Sequence, residues 1–335
     1  MATTNMVVYR RRPGTVPNSP LPNVVNIFPH DDGYAEVTYA ANIAQRILAL
    51  PRAIEVLTDL AMEYDRHADQ ANALFQGNRN LAQTRAREFS QKISEVFPVI
   101  TIDETITNPN IYGQTLRAEV TAPFNPRNFT VTINGQRFDW LMNAKDKTFR
   151  NYLFALALTF VHEVGGHVFL NDLTGGRAPT PPAVVARGFP PSQMAGVPAG
   201  ESGHWLESKL YGGGFTIAGD GSQELPQRET FYIVFDEDDV KPIKADVIDE
   251  FMIKRNFIFP IPVNDERKRV QDLPRVGPPN VPAPDPEQFE QGRPHVAIFM
   301  AIERCCGKDS IKGNNVRISD LEKYPLDRNT KIQVT

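Results

Sequence analysis

The run His162-Glu163-Val164-Gly165-Gly166-His167 places two imidazoles and a carboxylate within six consecutive residues of a 335-residue chain. Two neutral imidazole nitrogens are what a zinc ion asks of a protein, and a carboxylate beside them can take a proton from metal-bound water. The residue types suit a metallohydrolase, but the spacing needs an explanation. Histidines four apart on an ideal helix sit about 40° from one another, whereas five apart they are about 140° apart and cannot face one ion. A π-type turn removes the mismatch, because its wider winding returns positions five apart to one face. Gly165 and Gly166 lie where that distortion belongs. Each helical glycine costs on the order of 1 kcal/mol relative to alanine, so a pair of them needs a physical reason. The expectation is a π-bulge or break within residues 164–167, with alanine at position 165 tolerated less well than an ordinary helical Gly→Ala change.

The segment resembles the HExxxH motif of the dipeptidyl peptidase III family of zinc peptidases, a lengthened form of the zincin HExxH motif. The resemblance spans residues 155–211 and implies that His162 and His167 bind zinc and that Glu163 is the general base. It also implies a third ligand on a later helix. Downstream, Gly200-Glu201-Ser202-Gly203-His204-Trp205-Leu206-Glu207 is similar to the glutamate-bearing helix of gluzincin aminopeptidases, with Glu201 at the matching ligand position. Gly200 stands in place of asparagine and Ser202 is an addition. On a helix Glu201 and His204 share a face, while Glu207 points roughly 120° from Glu201, so the two glutamates do not serve one ion. Glu201 ranks first as third ligand, Glu207 second and His204 third. The whole pattern, with its Leu206–Gly214 ending LESKLYGGG, also resembles a group of uncharacterised fungal proteins.

These residues need elements to hold them. From Tyr34 to about Val99 apolar residues recur at helical spacing, with breaks at Pro51 and Gly77-Asn78, which predicts three or four helices. Between Thr115 and Met142 short Val/Thr/Phe/Ile stretches predict a small sheet, with Asn134-Gly135 as the tight turn of a hairpin. A long helix is expected from about Lys145 to Leu170, because Phe149, Leu153, Leu156 and Phe160 share a face. Residues 151–171 carry one acidic residue and two histidines among otherwise uncharged neighbours, a stretch long enough to span a bilayer, but Glu163 and both histidines lie inside it, where an ionisable group costs a few kcal/mol. A buried core helix with a polar site is the better fit. A Pro/Gly-rich loop over 174–200, a helix near 201–211, strands at 215–218 and 230–235 and a helix near 245–255 complete the pattern.

The fold class expected is α+β, mainly helical with a small sheet, and the resemblance implies a zincin-like core around a long active-site helix. The divisions are an extended N-terminal arm (1–33), a helical region (34–100), the metal-binding core (101–260) and a Pro-rich strap with a C-terminal segment (261–335). A net charge of −4 gives no general reason to bind a phosphate backbone, so nucleic acid is not an expected partner, and neither is a membrane. Cys305 and Cys306 are adjacent and cannot staple distant segments. With no basic-then-apolar leader pattern at the N-terminus, a reducing, cytoplasmic setting is expected. The expected function is a zinc-dependent hydrolase, most simply a metallopeptidase acting on a peptide. The alternatives are a non-peptidase metal enzyme tailoring a small molecule or peptide natural product, or a protein with a structural metal site.

Overall fold

The computed structural model describes residues 6–15, 22–68, 73–108, 111–115, 123–176, 180–186, 192–194, 197–218, 230–236 and 238–273. Most of the Pro-rich strap and the Cys305-Cys306 pair lie outside these residues. The chain is α+β. Its larger sheet has five strands in the order β2-β1-β3-β5-β4. Strand β1 (Val8–Thr15) forms an antiparallel hairpin with β2 (Pro22–Ile27) and runs parallel to β3 (Val99–Asp103), which runs parallel to β5 (Thr130–Asn134). The short β4 (Gly113–Thr115) closes one edge, antiparallel to β5. Every residue of β3 and β5 is buried, as parallel strands covered on both faces require. The N-terminal arm is therefore extended but paired, and Arg10 and Arg11 are tied across the sheet to Glu104, Asp139 and Asp103.

Asn134-Gly135 does not turn a hairpin. The Asn134 side chain accepts from the backbone N–H groups of Gln136 and Arg137 and so caps helix α4 (Gly135–Asn143). A Cβ on Gly135 would come within 2.8 Å of Glu104 Cα, so the glycine serves close approach to the β3 end.

Helices α1 (Tyr34–Leu48), α2 (Pro51–His67) and α3 (Arg79–Glu95) follow the predicted breaks. Pro51 opens α2, where a missing N–H costs nothing, and Asn78 caps α3 by accepting from Asn80 and Leu81. Helix α5 (Asp146–Val161) continues through a π-turn (His162–Val168) into α6 (Phe169–Thr174). Helix α1 packs along α5, and its fully buried Ala40, Ala41 and Ala44 present no bulky side chain to that packing. Phe154, Phe160 and Phe169 on the long helix are fully buried, the first two in edge-to-face contact with Phe251 and Phe97. The continuous helix is apolar and long enough to cross a membrane, yet 83% of its most apolar window is already covered by the rest of the chain.

Strands β6 (Ser192–Met194) and β7 (Val197–Ala199) pair ahead of α7 (Ser202–Leu210), which packs on both α2 and the π-turn. An antiparallel sheet of β8 (Gly214–Ala218), β9 (Thr230–Asp236) and β10 (Asp239–Pro242) follows, then α8 (Ala245–Asp249) with a second π-turn at its end. The start of the strap bridges back onto this region, Val263 to Ile243 and Lys268 to Val240.

Candidate metal centre

The π-turn occupies His162–Val168 and spans the whole motif. Its wider winding brings the His162 and His167 rings to 5.3 Å between centroids, where a regular helix would set them on different faces. The glycines belong to the crossing with α7. A Cβ on Gly166 would lie 2.5 Å from Gly203 Cα and 2.6 Å from Gly203 N, so backbone meets backbone here. A Cβ on Gly203 would lie 2.2 Å from His162 Nε2. At Gly165 the obstacles are side-chain ends, Leu48 Cδ2 at 2.8 Å and Leu206 Cδ1 at 2.9 Å. The tighter constraint therefore falls on Gly166, not on Gly165. Sequence reasoning passed over Gly203, although a glycine inside a short helix beside the candidate ligand is the same signal as the 165–166 pair.

Glu201 stands at the N-cap of α7. Its Oε2 accepts from the backbone N–H of His204, and its Oε1 from that of Gly203 at 3.3 Å. Oε1 also faces the two imidazoles, 2.6 Å from His167 Nε2 and 3.6 Å from His162 Nε2. Cap and ligand candidate are thus one residue, and the helix N-terminus favours its negative charge. Burial alone would raise the Glu201 carboxyl, but His162 and His167 hold it well below the usual range.

Glu207 is engaged one ring atom away. Its Oε1 takes the His162 Nδ1–H at 2.8 Å, and its Oε2 accepts from the Phe215 backbone N–H at 2.8 Å. In the neutral ring this carboxylate–histidine pair favours the proton on Nδ1 and the lone pair on Nε2, the usual support of a metal-binding imidazole. Ser202 Oγ lies 3.3 Å from His167 Nδ1 and stands in the same relation to the second ring. His204 Nδ1 lies 3.0 Å from Glu201 Oε2, with its ring edge-on to His162 at 5.0 Å. Burial lowers the His204 imidazole, which keeps it neutral and competent as a ligand.

Glu163 is 3% exposed, and its Oε2 has no hydrogen-bond partner among the described residues. Gly113 of β4 passes beside it, with a Cβ there falling 3.4 Å from Glu163 Cγ and 2.7 Å from Thr159 Cγ2. The edge strand over the carboxylate was not visible in the sequence, because Gly113 sits in no motif.

All six residues singled out by type and spacing, His162, Glu163, His167, Glu201, His204 and Glu207, are gathered here. The ligand atoms of His162, Glu163 and His167 lie within 4.8 Å of one another, as do those of His162, His204 and Glu207, so the site can hold a metal ion. Two ligands of a tetrahedral zinc, each about 2.0–2.1 Å from it, lie about 3.4 Å apart. The 3.6 Å separation of His162 and Glu201 matches that spacing, while the 2.6 Å between His167 and Glu201 is a direct hydrogen bond that an ion would replace. Burial would lower the His162 imidazole, yet Glu201 and Glu207 hold it well above its usual range. Two carboxylates set against the imidazoles make this a point that favours positive charge, as a divalent cation site requires. No protein-family model, curated protein or solved structure matches this chain.

Proposed function

We propose that the protein is a zinc-dependent hydrolase, and that its substrate is a peptide. The observation that carries this reading is the convergence of His162 Nε2 and His167 Nε2 on Glu201 Oε1 across a π-turn, with a buried carboxylate oxygen of Glu163 unpartnered alongside. His162, His167 and Glu201 would hold the ion. Bound there, zinc would supply Lewis-acid polarisation of a carbonyl and would make a water at the site more acidic.

The chain's own groups divide the rest of the work. Glu163 Oε2 takes a proton from the attacking water and delivers it to the nitrogen of the leaving amine as the C–N bond breaks. Glu207 keeps His162 in one tautomer and one orientation. Strand β4 lies at the edge of the sheet, among the described residues it pairs only with β5, and its Gly113 packs against Glu163, so an extended peptide could add to its free side. That placement favours a peptide over a compact small molecule.

Purified protein should contain about one zinc per chain by elemental analysis. Glu163→Gln should keep the zinc and lose turnover of a peptide library, whereas His162→Ala or His167→Ala should lose both. A well-folded, metal-free preparation that takes up no zinc on addition refutes the reading. One observation favours a second reading, a closed structural site: His204 is near enough to Glu201 to complete four protein ligands. His204→Ala separates the two readings, since a structural fourth ligand predicts loss of stability and of zinc, and an open site predicts neither.

A further inference from the structure

The metal centre gathers more donors than a single zinc uses. A catalytic zinc takes three protein ligands and keeps a position for water, and His162, His167 and Glu201 supply those three. His204 and Glu207 belong to the same cluster, with ligand atoms within 4.8 Å of each other and of His162. The Glu207 side chain is 5% exposed, whereas that of His204 is 32% exposed, against 22% for His167 and 15% for His162. His204 is therefore the imidazole of the group most open to an ion arriving from solvent, and Glu207 stands buried behind it as a carboxylate.

Glu201 links the two sets of donors, because its oxygens face different imidazoles. Oε1 lies 2.6 Å from His167 Nε2 and 3.6 Å from His162 Nε2, while Oε2 lies 3.0 Å from His204 Nδ1. Each oxygen of an ionised carboxylate has about two lone-pair sites. The backbone of α7 occupies one on each, through the N–H groups of Gly203 and His204, so one on each remains to meet a cation. A carboxylate shared in this way suits two ions about 3.5–4 Å apart, the separation found in two-metal sites. Glu201 can share an ion with Glu207 because it is the N-cap, with extended backbone at φ −126° and ψ 96°. It stands off the helical spiral, so the divergence of roughly 120° between positions six apart on a helix does not apply. His204 is already engaged, and an ion would replace its contact with Oε2 just as it would replace that of His167 with Oε1. Glu207 Oε1 has a second lone-pair site beside the one that holds His162 Nδ1–H.

We propose that Glu201 Oε2, His204 and Glu207 form a second divalent-cation site, joined to the first through the Glu201 carboxylate. The proposal rests on the hydrolase reading of the first site and adds a second ion to it. Two dications this close repel each other, so the second binds at least about tenfold more weakly. The protein as purified then carries one zinc, and a zinc-rich medium loads two.

The test is equilibrium dialysis of the full chain against zinc up to about 1 mM free, with elemental analysis of the bound metal, followed by cadmium NMR of the cadmium-loaded protein. Wild type should take up a first and then a second zinc per chain and show two cadmium resonances. His204→Ala should keep the first event within about threefold, lose the second and show one resonance. His67→Ala, which breaks the more exposed pair of His67 with Glu63, should change neither event. Saturation at one zinc, a second event that survives in folded His204→Ala, or one that disappears in His67→Ala overturns the proposal. Loss of the first zinc in His204→Ala overturns it too, since His204 would then be the fourth ligand of a single closed site. If His204→Ala does not fold, His204→Gln, which keeps the length of the side chain without an imidazole, decides in the same way. One zinc with turnover of a peptide library defeats the second site alone, two zincs without turnover defeat the hydrolase reading alone, and no zinc defeats both.

Discussion

Alanine at position 166 probes the crossing on which the metal centre depends. Its Cβ would lie 2.5 Å from Gly203 Cα, whereas carbon atoms rest at about 3.5–4.0 Å, so α7 and the π-turn must separate by about 1 Å. Metal–ligand distances tolerate about ±0.2 Å, and Glu201 sits at the end of α7 that would move. Overpacking costs about 1–3 kcal/mol, and with backbone on both sides the upper end applies, offset by up to about 1 kcal/mol from replacing a helical glycine. The expected net loss is about 2 kcal/mol, together with at least tenfold weaker zinc binding. At Gly165 the encroached atoms are the movable ends of Leu48 and Leu206, so Gly165→Ala should fall within about 1 kcal/mol of wild type. Urea denaturation of the zinc-free protein, read as a midpoint change at constant slope, gives the stability, and competition with a chelator gives the affinity. A Gly166→Ala protein as stable as wild type and with unchanged zinc affinity would refute the reasoning, as would a reversal of the order of the two alanines.

Glu207→Gln preserves an acceptor for the Phe215 N–H but weakens the hold on His162 Nδ1, and zinc affinity should fall about 10–100-fold with stoichiometry unchanged. Unaltered affinity in the same competition assay would show that the tautomer is set elsewhere. Asp172 is pushed up to about 6 from an ordinary 3.8, mainly by burial, against the opposing pull of Arg85 and Lys92. The fold therefore favours its protonated form, so its contribution is fully present below pH 3.8 and is lost as pH rises through about 6. The stability of Asp172→Asn relative to wild type should rise by about 1–3 kcal/mol between pH 4 and pH 8, and a flat difference across that range would count against the assignment.

What the sequence disclosed of the site came from local chemistry. Two histidines five apart around a glycine pair permit few geometries, and the π-turn at His162–Val168 is the one that lets both rings meet. Glu201 is legible as a ligand candidate from its resemblance to a glutamate-bearing metal helix, whereas its second task as the cap depends on the backbone of residues 203 and 204. Glu207 ranked second as a ligand candidate, but its observed partner is His162 Nδ1, 45 residues away in sequence, so its role depends on packing that local spacing does not encode. The sheet was legible only in part for the same reason. Val99–Asp103 reads locally as the tail of a helical region, and it becomes a central strand only because β1 and β5 flank it. Arg10 and Arg11 resemble a solvated basic run until Glu104, Asp139 and Asp103 are placed opposite them. Asn134-Gly135 carries two meanings, since asparagine suits a tight turn and a helix cap equally, and only the chain that follows decides between them.

The double engagement of Glu201 ties the fraying of a helix end to the retention of an ion. Opening the first turn of α7 breaks the hydrogen bonds from Gly203 and His204 to this carboxylate and removes the carboxylate from His162 and His167 in the same event. A bound cation therefore adds its binding free energy to the cost of that local opening, by mass action on the closed state. The amides of Gly203 and His204 become natural reporters: their exchange with solvent deuterium slows by a factor of one plus the ratio of free ion concentration to Kd, in step with the shrinking unoccupied fraction. Amides whose hydrogen bonds do not involve the start of α7, such as those of the β1–β2 pair, keep their own rates.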